Sequence, residues 1–125
     1  MTIKSCFSLV EEAKQKIKSI NFKSAMKLHN EGETIFIDLR DIRELEKNGK
    51  IKNAKHVPRG MLEFWIDPKS PYYKDYFNSK NKFIFYCASG WRSSLSSKTA
   101  LEMGLINVLN LSLIHISEPT RLHCI

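Results

Sequence analysis

The 125-residue chain is 42% hydrophobic and 26% charged, with a formal net charge of +7. Its length fits one small domain, no run approaches the roughly 20 apolar residues of a membrane span, and no basic–aromatic stripe of a nucleic-acid module is present. The lysine-dotted start is neither a secretory signal nor a transit peptide, so the cytoplasm is the expected location, where Cys6, Cys87 and Cys124 set out no disulfide framework.

Ser8 and Glu11 have capping-box spacing, and Val10, Ala13, Ile17 and Ile20 recur at helical intervals, so a helix is predicted over residues 8–18. A short strand follows over Ser19–Phe22. Ser24 is a candidate cap for a helix to about Asn30, and Gly32 a candidate stop. Thr34–Asp38 is β-branched and aromatic and reads as a buried strand. Asp41 can cap a helix through Lys47 that halts near Gly49. Ala54–Val57 suggests a short strand before Pro58, Met61–Ile66 an apolar helical turn, and Ser70–Phe77 an aromatic helix. Lys82–Tyr86 is a strand, Ser93–Met103 a helix with Gly104 past its end, and Ile106–Asn110 a last strand. Strands alternating with helices imply an α/β fold, with a parallel sheet of about five strands covered by helices on both faces. Ligands bind such sheets beyond the carboxyl ends of the strands, where Asp38, Arg40 and Cys87 fall.

The run Phe83-Ile84-Phe85-Tyr86-Cys87-Ala88-Ser89-Gly90-Trp91-Arg92-Ser93 is the chemical centre of this pattern. A β-prone segment ends at a cysteine, a short loop turns at Gly90, and a helix begins. Thiols at helix N-termini ionise more readily than free ones, which points to a nucleophile rather than a core residue. The cations add a second signal. Fifteen lysines stand against five arginines, so Arg40, Arg59 and Arg92 are candidates for roles that need a planar, bidentate fork.

Together these residues resemble a single-domain rhodanese, a sulfurtransferase of the thiosulfate type. Ile37–Asp41 resembles the family's strand-end Asp-x-Arg, and Gly49–Pro58 resembles its Gly-His-Ile-Pro region, departing from it at Lys55 and Arg59. The third match is the loop from Cys87 to Arg92 with the helix after it. The resemblance covers about residues 19–110 and implies a rhodanese-like fold. It implies transfer of sulfane sulfur from a small anionic donor, such as thiosulfate, to cyanide, a thiol or a sulfur-accepting protein. The intermediate would be a persulfide on Cys87. No cofactor, metal, nucleic acid or membrane is implied. Related phosphatase and arsenate-reductase loops have five residues between cysteine and arginine. Cys87 and Arg92 enclose four, which favours sulfur chemistry over phosphate. A non-catalytic rhodanese-like module is the remaining alternative, and Cys87 argues against it.

The resemblance assigns roles around that thiol. The loop amides of Ala88, Ser89, Gly90, Trp91 and Arg92 are expected to cradle the persulfide. Arg40 and Arg59 are candidate ligands of the donor anion. Asp38 is expected to be structural and to pair with Arg92, unless Arg92 itself meets the donor. Ser93 is expected to cap the following helix. Trp91 is expected to wall the pocket, with Phe64 and Trp65 as its roof or as core. His56 reads as a structural histidine, and Cys6 as a passive thiol. From Leu111 onward the string resembles the conceptual translation of a sequencing adapter. Residues 111–125 are therefore expected to stand outside a domain of residues 1–110 that lacks its final helix. On that reading His115, His123 and Cys124 build no metal site.

Overall fold

The computed structural model of the protein describes residues 2–112. Five strands form one parallel sheet: β1 (Lys18–Ile20), β2 (Thr34–Asp38), β3 (Lys55–His56), β4 (Lys82–Cys87) and β5 (Asn107–Ser112). Their order is β1-β5-β4-β2-β3. The helices are α1 (Cys6–Lys16), α2 (Phe22–Glu31), α3 (Ile42–Asn48), α4 (Leu62–Ile66) and α5 (Trp91–Glu102). None is long and apolar enough to cross a membrane.

The central strand explains how two faces are filled. All of β4 after Lys82 is buried, and its side chains alternate between two cores. Phe83 and Phe85 join Ile37, Val57, Leu62, Ile66, Phe77 and Ala100 beneath α4 and α5. Ile84 and Tyr86 join Phe36, Ala25, Ile51 and Leu111 beneath α2. A strand buried on both faces must read as a continuous apolar run, which is why this one was legible. On the first face α5 lies close to the sheet through Ser93, Ser94, Ser96 and Ser97, all fully buried, and α1 packs against α5 in turn.

The connections place the site. β2 leads through α3 to β3 on one side, and β4 leads through α5 to β5 on the other. Neighbouring strands whose connections diverge leave a crevice at their carboxyl ends. The last residues of that pair are Asp38 and Cys87.

Several elements differ from the sequence expectation. α1 begins two residues early because Ser5, not Ser8, caps it, accepting from the Phe7 amide at 3.1 Å. α2 is likewise capped by Asn21, whose Oδ1 accepts from Ser24 N–H at 2.8 Å. Ser70–Phe77 is not helical. Pro71 removes an amide there, and Ser70 Oγ takes the Tyr72 amide, leaving a series of tight turns. α5 starts at Trp91 after Gly90, so Ser93 lies inside the first turn and is not the cap. The expected boundary at residue 110 falls within β5: Leu111 is fully buried and Ser112 pairs with Cys87. The rest of the adapter-like string, with His115, His123 and Cys124, lies outside the described residues.

Candidate active site

Cys87 closes the central strand, and its sulfur is fully buried under the loop that follows. Gly90 N–H donates to Sγ at 3.2 Å and Ser93 N–H at 3.3 Å. Ser93 Oγ is 3.4 Å away, where it accepts from a thiol and can donate to a thiolate. These donors belong to the N-terminal turn of a 12-residue helix, so its dipole adds to them. These groups can stabilise negative charge on the sulfur. Of the amides expected to form the cradle, Gly90 supplies one. The other comes from Ser93, beyond the expected span.

The loop is held from below. Ser94 Oγ donates to the Gly90 carbonyl at 2.5 Å and accepts from Asn110 Nδ2 of β5 at 3.2 Å. Neither residue was singled out from the sequence. A serine in a serine-rich helix carries no local sign that it faces the sheet. Gly90 itself has φ +89, and a Cβ there would stand 3.2 Å from Ser112 Cβ. Gly90→Ala is therefore expected to destabilise the protein by about 1–2 kcal/mol from the left-handed backbone alone. It should also slow reaction of Cys87 by displacing one of its two donors. Urea denaturation and Cys87-specific alkylation measure these two effects.

The arginines are arranged differently from expectation. Arg40 is 3% exposed and does not reach out for a ligand. It folds back on Asp38, donating through Nε at 3.0 Å and Nη2 at 2.7 Å, and Nη2 also donates to the Gly49 carbonyl at 2.8 Å. Its guanidinium lies 5.6 Å from the centre of the Tyr86 ring. Burial opposes its charge, but the hydrogen bond and charge of Asp38 prevail and its pKa is raised. Asp38 is fully buried, and its partner is Arg40 and not Arg92. Arg92 instead makes a bidentate pair with Glu44 of α3, at 2.8 and 3.1 Å. That hydrogen bond, against a smaller burial penalty, holds the Glu44 carboxyl down at about 2. Arg59 pairs with Glu63 one helical turn on, at 3.0 Å.

A cavity of about 360 Å³ opens beside the loop, lined by Arg40, Asp41, His56, Pro58, Arg59 and Arg92 among others. His56 Nε2 is 2.7 Å from the Arg40 carbonyl, a structural bond that ties β3 to the end of β2. On the other side of the loop a second cavity, of about 630 Å³, is bounded by Ser89, Gly90, Trp91 and Asn110. Trp91 borders this second space, is 49% exposed, and packs edge-on against Phe7 at 4.9 Å. Trp65 packs against the core beneath α4 and carries Lys74 over its ring, while Phe64 is exposed, so neither roofs Cys87. Cys6 is exposed on α1. Among the described residues no cluster of His, Cys, Asp or Glu is assembled that could hold a metal ion.

A family model, that of the rhodanese-like domain, matches residues 21–113. This chain belongs to the rhodanese-like family. Its sheet, cradle loop and strand-end ion pair are thus the frame of a rhodanese-like domain. Among solved structures, one from Rhodopseudomonas palustris is 43% identical, with a TM-score of 0.84, covering 90% of this chain and 87% of that one. It is described as a protein of unknown function and a possible tyrosine phosphatase. A rhodanese-related protein from Thermoplasma volcanium is 25% identical, with a TM-score of 0.57, covering 76% of this chain and 83% of its own. A human single-domain sulfurtransferase, 19% identical, shares the fold at a TM-score of 0.64, with 76% of this chain and 88% of that one covered. No curated protein matches the chain.

Proposed function

We propose that this rhodanese-like domain is a sulfurtransferase that moves sulfane sulfur through a persulfide on Cys87. The observation that carries the reading is the convergence of two backbone amides and a helix N-terminus on Cys87 Sγ. The Cys87 thiolate attacks the outer sulfur of a donor such as thiosulfate. A new S–S bond forms on Cys87, the donor's S–S bond breaks, and its electron pair leaves with sulfite. The terminal persulfide sulfur keeps the negative charge, and the cradle stabilises it. An acceptor such as cyanide then attacks that sulfur. Thiocyanate leaves, and the Cys87 thiolate returns. No general base is needed once the thiol is ionised, which agrees with His56 being engaged in a structural bond. The donor anion approaches through the cavity bordered by Arg59 and Arg92, while Arg40, which also lines it, is committed to Asp38 and Gly49. No cofactor takes part, and the reaction is placed in the cytoplasm, with a thiol or a sulfur-accepting protein as acceptor.

The test is incubation with thiosulfate followed by mass spectrometry. The peptide containing Cys87 should gain one sulfur atom and lose it again on adding cyanide, with thiocyanate released. Failure of Cys87 to gain sulfur would refute the reading.

A phosphatase reading has one observation in its favour, the description of the R. palustris relative. Two features weigh against it here. Only four residues separate Cys87 from Arg92, and Arg92 is clasped by Glu44 rather than directed at an oxyanion. Steady hydrolysis of an aryl phosphate that depends on Cys87 would reverse the preference.

A further inference from the structure

Every arginine around the donor cavity already has a carboxylate partner. Arg40 is matched by Asp38, Arg59 by Glu63 and Arg92 by Glu44. The three pairs are not equivalent. The Asp38–Arg40 pair is sealed in the fold. Arg59 meets Glu63 through one nitrogen and Arg92 meets Glu44 through two, at similar exposure, so the Arg59 contact is the more easily exchanged. Glu44 holds both end nitrogens of Arg92, and its Oε1 also accepts from the Asp41 amide at 3.0 Å. A backbone tether on the carboxylate removes much of the freedom it would need to swing away. An incoming anion therefore meets an arginine whose fork is occupied and a fixed negative charge beside it.

We propose that Glu44 sets the charge of the accepted donor, so that the cavity favours sulfane donors with a single negative charge, such as organic thiosulfonates and persulfides, over doubly charged thiosulfate. This rests on the sulfur-transfer reading and refines it. A doubly charged donor is repelled by Glu44 and must displace it to engage Arg92. A singly charged one is repelled less and is served by Arg59 and the cradle. Glu44 is a positioning residue: it touches Arg92, not sulfur. It was missed in the sequence because its other task, completing the capping box of α3 with Asp41, explains it locally.

Glu44→Gln is the informative variant, because glutamine also completes a capping box and should preserve α3. Persulfide formation on Cys87 is followed with two donors, thiosulfate and methanethiosulfonate. In the unchanged protein KM should be lower for methanethiosulfonate. In Glu44→Gln the KM for thiosulfate should fall roughly tenfold and that for methanethiosulfonate only about threefold, with kcat little altered. Glu63→Gln should have a smaller effect. A parallel titration reads binding without sulfur transfer: sulfate should bind roughly tenfold tighter to Glu44→Gln, and methanesulfonate only about threefold tighter. Equal changes for singly and doubly charged ligands, or none for sulfate, would overturn the proposal. If neither donor loads Cys87 of the unchanged protein, the sulfur-transfer reading falls, and the sulfate titration still decides whether Glu44 discriminates by charge.

Discussion

Cys87→Ser is expected to abolish sulfur loading from thiosulfate, with any residual transfer lowered by at least roughly a thousandfold. A serine hydroxyl is neutral at working pH and cannot store sulfur as a persulfide. The variant should keep its fold, because an oxygen at that position can still accept from the Gly90 and Ser93 amides that now meet the sulfur. A coincident urea denaturation curve would confirm this and separate lost chemistry from lost structure. Cys6→Ser is the control. Cys6 is exposed on the first turn of α1, outside the cradle, and its removal should leave loading unchanged. Equal sulfur gain by Cys87→Ser and the unchanged protein would show that the cradle is not where sulfur is held.

Asp38→Ala is expected to cost about 3–5 kcal/mol, read as a shift in the midpoint of urea denaturation. Asp38 is fully buried and accepts from Arg40 three ways: through the backbone amide at 3.0 Å, through Nε and through Nη2. Its loss leaves the Arg40 guanidinium in the interior with the Gly49 carbonyl and the face of Tyr86 as company. An uncompensated buried charge costs more than the pair ever contributed. Domains stand only about 5–15 kcal/mol above unfolding, so this single change removes a large fraction of the margin. The double variant Asp38→Leu/Arg40→Met should recover much of the loss, since it removes both charges and fills the space with apolar groups. If the double variant is no more stable than Asp38→Ala, the cost lies in the shape of the strand end and not in the orphaned charge. A loss below about 1 kcal/mol for the single variant would mean that Arg40 escapes to solvent, as surface pairs allow.

The parts of the fold that were legible are those whose cause is local. β2 and β4 are runs buried on both faces, so their composition alone marks them. Asp41 caps α3, and Gly32 ends α2 at φ +77, because a side-chain acceptor and a residue without Cβ act within one turn. The illegible parts compete with equally good local alternatives. Ser5 and Ser8 are both able to cap, and in the fold it is Ser5 that accepts from the Phe7 amide. Tyr72, Tyr73, Tyr76 and Phe77 have the composition of an apolar helix, yet Tyr73, Tyr76 and Phe77 reach the core through turns and Tyr72 stays exposed. Leu111 looked foreign as part of a string, but a leucine in register with Tyr86 extends the sheet whatever follows it.

The candidate site divides in the same way. The order strand, Cys87, short loop, Gly90, helix is local, and so is the spacing of four residues to Arg92. These features were enough to indicate a thiol at a helix N-terminus and to favour sulfur over phosphate. The fate of the arginines was only partly local: Arg59 pairs with Glu63 one turn on, but the others depend on distant segments. Arg40 reads as a strand-end ligand until Gly49 and Tyr86 close over it, and its carboxylate partner stands two residues away. Arg92 finds Glu44 across 48 residues of chain, and Ser94 meets Asn110 across 16. A charged side chain pairs with whichever opposite charge the folded chain brings within about 3 Å, at the lowest desolvation cost. The sequence by itself thus determined the thiol at the helix N-terminus and the loop that presents it. Only the tertiary structure decided that Arg40 is sealed in and that Arg92 is clasped by Glu44, because those surroundings exist only once distant segments are packed together.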